Sequence, residues 1–205
     1  MTAISIIGSG NMAAAIGTRA AQHGHTVELL SRNPATARAL AYKIGSAATV
    51  GTFGDVPTGD IVILAVLHAA AVDVVAQYGG ALAGKILVDI TNPFTADGSG
   101  LLTTAGNSVA EQIAAAAPAG TPVVKAFNTL FGGVIAQNTA VDAFFAGDGV
   151  DAKVRMASFL ESLGLRPLDA GGLGMAHALE WAGILLVGVA RNGAGFDLAL
   201  AAEVR

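Results

Sequence analysis

The sequence predicts a doubly wound α/β fold: a mostly parallel sheet, helices on both faces, and a small C-terminal helical extension. Three observations predict it. Short apolar runs rich in β-branched residues alternate with helix-forming segments through the first three quarters of the chain. A glycine turn follows the first of those runs directly. Across the 205 residues, 53% are hydrophobic, only 13% are charged and 27 are glycine, which suits helices lying close on a sheet.

Taken in order, Ala3 to Gly8 is a β-branched strand ended by glycine, and Met12 to His23 a helix closed by Gly24 at a C-cap position. Thr26 to Leu30 is the second strand, and Pro34 opens a helix running to Ile44. Ala48 to Gly51 has weak strand character. Asp60 to Val66 is an unbroken apolar run, as a strand covered on both faces requires. A helix from Ala69 to Tyr78 and a strand from Lys85 to Thr91, stopped by Asn92-Pro93, come next. Helix Ser108 to Ala116 and strand Pro122 to Phe127 precede a last run, Ala143 to Ala146, whose direction the sequence does not fix. Residues 1–149 therefore read as a nucleotide-binding domain. Residues 150–205 read as a small, mainly helical part packed on it: a helix to Leu163, a strand or turn at Leu165 to Gly171, and a helix from Met175 to Arg191.

Composition excludes several functions. Net charge is −4 and no basic run exists, whereas nucleic-acid binding needs clustered Lys and Arg. The absence of cysteine removes disulfides, thiolate metal sites and cysteine nucleophiles. The four histidines show no metal-ligand spacing, and no G-x-S-x-G elbow is present. The N-terminus lacks a basic n-region, so it does not read as a signal peptide. Trp181 to Ala190 is apolar but short of the roughly 20 residues that cross a bilayer. A cytoplasmic protein that binds neither nucleic acid nor membrane is expected.

Gly8-Ser9-Gly10-Asn11-Met12-Ala13 matches G-x-G-x-x-A between a strand and a helix, the setting of a Rossmann-type dinucleotide site. Gly8 allows the sharp exit, Gly10 the close approach of a pyrophosphate, and Ala13 tight helix–strand packing. The helix N-terminus aims its N–H groups and positive end at the phosphates. At the tip of the second strand, an NAD site carries Asp or Glu about 20 residues on. Here Leu30 is followed by Ser31, Arg32 and Asn33, with no acid. A hydroxyl and a guanidinium suit a 2′-phosphate that a carboxylate would repel, so NADP(H) is favoured, with Arg38 placed to assist.

Ligands of open α/β sheets lie beyond the carboxyl ends of the strands. Ala65, Val66 and Leu67 end the fourth strand and would pack on the nicotinamide side. Asn92 after the fifth could hold ribose or carboxamide, and Asn128 follows the sixth. His68 reads either as a satisfied loop residue or as an acid catalyst, and Lys125 either as an ion-pair partner or as a cofactor or substrate contact. No side chain is assigned as catalytic.

With GSGNMA, the strand-end SRN, DITNP, VVKAFNT and LRPLDAGGLGMAHALE placed, the chain resembles the coenzyme F420-dependent NADP oxidoreductase family over nearly its whole length. The resemblance implies hydride transfer between NADPH and the 5-deazaflavin of coenzyme F420, and usually a homodimer. It puts the 2′-phosphate at Ser31 and Arg32, the pyrophosphate at Gly8 to Met12, and the stacked rings beyond Val66, Asn92 and Asn128. Two other readings keep the cofactor. One changes the small-molecule redox acceptor to a flavin, quinone, metal chelate or small carbonyl; the other makes the chain a non-catalytic NADP(H)-binding regulator. β-Hydroxyacid dehydrogenases share the N-terminal pattern but need a longer helical C-terminal domain.

Overall fold

A computed structural model describes residues 1–203; Val204 and Arg205, the end of the 150–205 part, lie outside the described residues. Eight strands form one sheet in the order β3-β2-β1-β4-β5-β6-β7-β8. In chain order they are β1 (Ala3–Ile7), β2 (Thr26–Leu30), β3 (Ala48–Val50), β4 (Ile61–Leu64), β5 (Ile86–Asp89), β6 (Val123–Ala126), β7 (Asp142–Gly147) and β8 (Arg166–Asp169). All pairs run parallel except β6 with β7, which is antiparallel. The order reverses between β1 and β4, so the crevice above these two strands is where a ligand of this architecture sits.

Helices α1 (Asn11–Gln22) and α2 (Pro34–Ile44) cover one face, and α3 (His68–Tyr78) and α4 (Val109–Ala116) the other. The chain adds α5 (Gly132–Ala136), α6 (Val150–Ser162) and α7 (Ala176–Val189). β4 and β5 are buried at every position, as their unbroken apolar runs predict. The starts of α2 and α4 are set by local chemistry. Asn33 accepts from the Ala35 N–H ahead of Pro34, and Ser108 with Glu111 forms a reciprocal capping box. Beyond Val150 the chain supplies not only helices but also β8, which pairs with β7 and extends the sheet.

Two interior polar residues tie distant segments together. Arg19, 1% exposed on α1, donates to the carbonyls of Leu163 (2.7 Å), Thr139 (3.0 Å), Ile135 (3.1 Å) and Gly164 (3.3 Å). It thereby satisfies chain ends that α5 and α6 leave open. His25 is buried between the Thr2 N–H at 3.1 Å and the Ser162 hydroxyl at 3.0 Å. Burial pushes its pKa down.

The apolar stretch around Trp181 is longer than the sequence suggests. A 3-10 turn before α7 and a π turn after it make a helical run of 22 residues, Leu173–Ala194, long and apolar enough to span a bilayer. It is nonetheless a core helix by its contacts. Glu180 at its middle is fully buried and ion-paired to Lys125 on β6 at 3.0 Å, and Leu179, Gly183 and Leu186 are buried with it.

Candidate functional site

The glycine turn lies at the sheet's switch point. Gly8 has φ +129°, and a Cβ there would stand 2.1 Å from the Ala65 carbonyl oxygen. Only glycine lets β1 leave the sheet so close to the end of β4. Gly10 is the N-cap of α1 and has no such contact: a Cβ there would meet no protein atom within 4 Å. The space over Gly10 is open, as a cradle for pyrophosphate needs. Asn11 and Met12 begin a helix whose first turn carries no acid, so its unpaired N–H groups face an anion unopposed. Ala13 is fully buried and gives the close helix packing.

Beside the turn the side chains form a hydroxyl cluster. Ser9 Oγ lies 3.1 Å from Ser31 Oγ and 2.7 Å from Thr36 Oγ1. Ser31 Oγ also accepts from the Asn33 N–H at 3.2 Å. Gly8, Ser9, Ser31, Arg32, Asn33 and Thr36 line one cavity together with Val66 and Phe53. Arg32 is exposed there and enters no ion pair among the described residues. The carboxylate nearest in sequence, Glu28 on β2, is turned inward: it accepts from Ser5 Oγ (2.6 Å) and the Thr58 N–H (2.8 Å). Three hydroxyls and a free guanidinium, with the acid withdrawn, fit a phosphomonoester.

A second cavity continues from Gly10, Asn11, Met12 and Arg32 past Ala65, Val66 and Leu67 to Thr91 and Asn92. Leu67 is 79% exposed, caps α3 and lines this cavity beside Ala65 and Val66. His68 begins α3 at the same rim, and no hydrogen bond to its ring is present among the described residues. A third space, a cleft of about 200 Å³, opens between the ends of β5 and β6 and helix α7. Met12, Ile90 and Asn92 line both the second cavity and this cleft. Its other walls include Phe94, Phe127, Asn128, Phe131 and Leu186, and no ionisable group among the described residues lines it.

Asn92 and Asn128 hold each other at the cleft floor. Asn92 Nδ2 donates to the Asn128 carbonyl at 2.8 Å, and Asn128 Nδ2 donates to Asn92 Oδ1 at 3.0 Å and to the Leu179 carbonyl at 2.8 Å. Asn128 thus fastens α7 to the strand ends through its amide N–H groups, while its Oδ1 has no partner among the described residues. Lys125 resolves as an ion-pair residue: fully buried, it donates to Asp89 (2.8 Å), Thr91 O (2.6 Å) and Glu180 (3.0 Å).

Sequence reasoning missed Thr36, Phe53 and the aromatic walls of the cleft. Thr36 sits one turn into α2 and was readable from its spacing to Ser31. The cleft walls come from segments far apart in the chain, and no local pattern announces them.

The chain is similar to several known proteins. Residues 3–93 match the family model described as "NADP oxidoreductase coenzyme F420-dependent". The metalloreductase STEAP3 of Rattus norvegicus is 32% identical over 184 residues, 86% of this chain. The chain spans about a third of the length of that relative, 35%. A hypothetical protein from Sinorhizobium meliloti has a similar structure, with TM-score 0.76, 28% identity, and coverage of 86% of this chain and 88% of its own. A candidate F420-dependent NADP reductase from Arthrobacter sp. FB24 shares the fold over 100% of both chains, with TM-score 0.87 at 22% identity. Over residues 3–93 the chain is thus similar to the coenzyme F420-dependent NADP oxidoreductase family, and its mostly parallel eight-stranded sheet is the fold of the Arthrobacter structure.

Proposed function

We propose that this protein transfers a hydride between NADPH and a planar acceptor, with coenzyme F420 as the first candidate. One observation carries the reading: the nucleotide cavity and the uncharged aromatic cleft meet at Met12, Ile90 and Asn92. A nicotinamide reaching along the first would lie at the mouth of the second. NADPH gives up its hydride to become NADP+, and the acceptor takes that hydride with a proton from water. Such a step asks little acid–base chemistry of the protein; holding the two carbons together in a dry cleft supplies most of the rate.

A second reading, reduction of a metal chelate, is favoured by the rat relative named a metalloreductase. Homodimerisation is also proposed, supported by Trp181, Leu185 and Val189, half-exposed on successive turns of α7. A cytoplasmic location is also proposed.

Rapid mixing of NADPH-loaded protein with F420, and separately with free flavin or ferric chelate, tests the acceptor. Loss of NADPH absorbance with F420 alone is the expected result. Reaction with flavin or chelate alone moves the assignment to those acceptors, and reaction with none leaves an NADP(H)-binding regulator.

A further inference from the structure

We propose that Phe53 is the wall of an adenine subsite, so that the purine of the dinucleotide is held between the Phe53 ring and the Arg32 guanidinium. The inference rests on NADP(H) occupying the cavity at the glycine turn.

Two cavities lie beside the tip of β2, and Ser31, Arg32 and Phe53 line both. One holds the hydroxyl cluster suited to a phosphate; the other continues past Arg38 and Gln77. A base attached to a ribose seated at Ser31 would meet Arg32 and Phe53, which border both cavities. The residues facing the phosphate are hydroxyls and a guanidinium, and Phe53 is the aromatic side chain among this lining. A purine has two flat apolar faces, and a guanidinium plane and a phenyl ring are the surfaces that cover such faces.

The ring is held in place before any ligand arrives. Phe53 is half-buried, and its inner side packs edge-on against buried Tyr78, with centroids 5.2 Å apart and planes at 79°. The loop carrying it is fixed to β2 by the Gly51 N–H donating to the Leu29 carbonyl at 3.1 Å. A Cβ at Gly51 would come within 2.7 Å of both Glu28 and Leu30, so the loop approaches β2 as closely as glycine allows. An aromatic side chain that spends no ordering entropy on binding is an efficient platform for a base.

The test uses the whole chain and ligands that carry or lack the base. Phe53→Ala is expected to raise the Kd of NADPH and of adenosine 2′,5′-bisphosphate about tenfold. The Kd of reduced nicotinamide mononucleotide, which has no adenine, stays unchanged. In a Trp181→Phe background, Phe53→Trp places the chain's sole tryptophan at the wall. Its emission should be quenched by adenosine 2′,5′-bisphosphate and not by inorganic phosphate, with wild-type affinity retained. Equal weakening of all three ligands by Phe53→Ala, an unchanged Kd for the bisphosphate, or an unmoved emission overturns the proposal while leaving the cofactor reading intact. Wild-type protein that binds neither NADPH nor the bisphosphate overturns the cofactor reading and the wall with it.

Discussion

Lys125 and Glu180, 55 residues apart in sequence, meet with Nζ 3.0 Å from Oε1 and both side chains sealed from solvent. The pair joins the inner strand β6 to the middle of α7, the helix that walls the aromatic cleft. Asp89 and the Thr91 carbonyl fill the remaining positions around the ammonium. Removing the cation strands two carboxylates in the interior. Lys125→Met is therefore expected to destabilise the fold by about 3–5 kcal/mol, measured by urea unfolding. A loss below about 1 kcal/mol would show that the carboxylates find water or protons at little cost.

In the proposed reading, cofactor choice rests on Arg32. Its guanidinium is free of ion pairs among the described residues, so Arg32→Ala costs no internal contact. Loss of one charge-assisted phosphate interaction predicts NADPH binding weakened by about 10- to 100-fold with NADH barely affected. Titration calorimetry with both nucleotides decides it, and equal weakening of the two would rule out a 2′-phosphate contact.

Asn128 is expected to act on the cleft rather than on the nucleotide. Asn128→Leu leaves Asn92 Oδ1 and the Leu179 carbonyl without their donor, which should cost about 1–3 kcal/mol of stability. NADPH affinity should hold while hydride transfer slows, because α7 is no longer fastened at the ring junction. An unchanged single-turnover rate would speak against that role.

The buried His25 predicts a pH dependence of stability. Its folded pKa lies below the unfolded value of about 6.5, so the unfolded chain binds the extra proton. Stability is complete above that value and falls as pH drops below it, towards the folded pKa. Urea midpoints at about pH 7.5 and about pH 5.5 should differ, and His25→Asn should flatten the difference. Asp97, held to about 2 by the hydroxyls of Thr95 and Ser99, still resists protonation in that window.

Much of the fold was legible because each strand carries its own signature. The β-branched runs of β1, β4 and β5 and the proline and glycine punctuation of α2 are local facts. Helix α5 escaped notice because five residues opening with Gly132-Gly133 give no helical period. The antiparallel sense of β7 belongs to its pairing with β6, which no short-range pattern encodes. In the site, Gly8, Ser31 and Arg32 were readable from spacing to a strand end. Phe53 and the cleft walls Phe94, Phe127 and Phe131 were not, since their meeting depends on the sheet's twist and on where α7 returns. Lys125 looked like a ligand contact or an ion-pair partner until burial decided between them.

The sealed position of the Lys125 cluster has a consequence for how the protein should respond to its medium. Mobile ions weaken attractions only where they can come near, and none can enter here. Raising ionic strength should loosen the grip on NADPH through exposed Arg32 while leaving the cleft width, and thus the distance the hydride travels, unaltered. On the proposed function, salt would then change how often the protein is loaded but not how fast the loaded protein reacts.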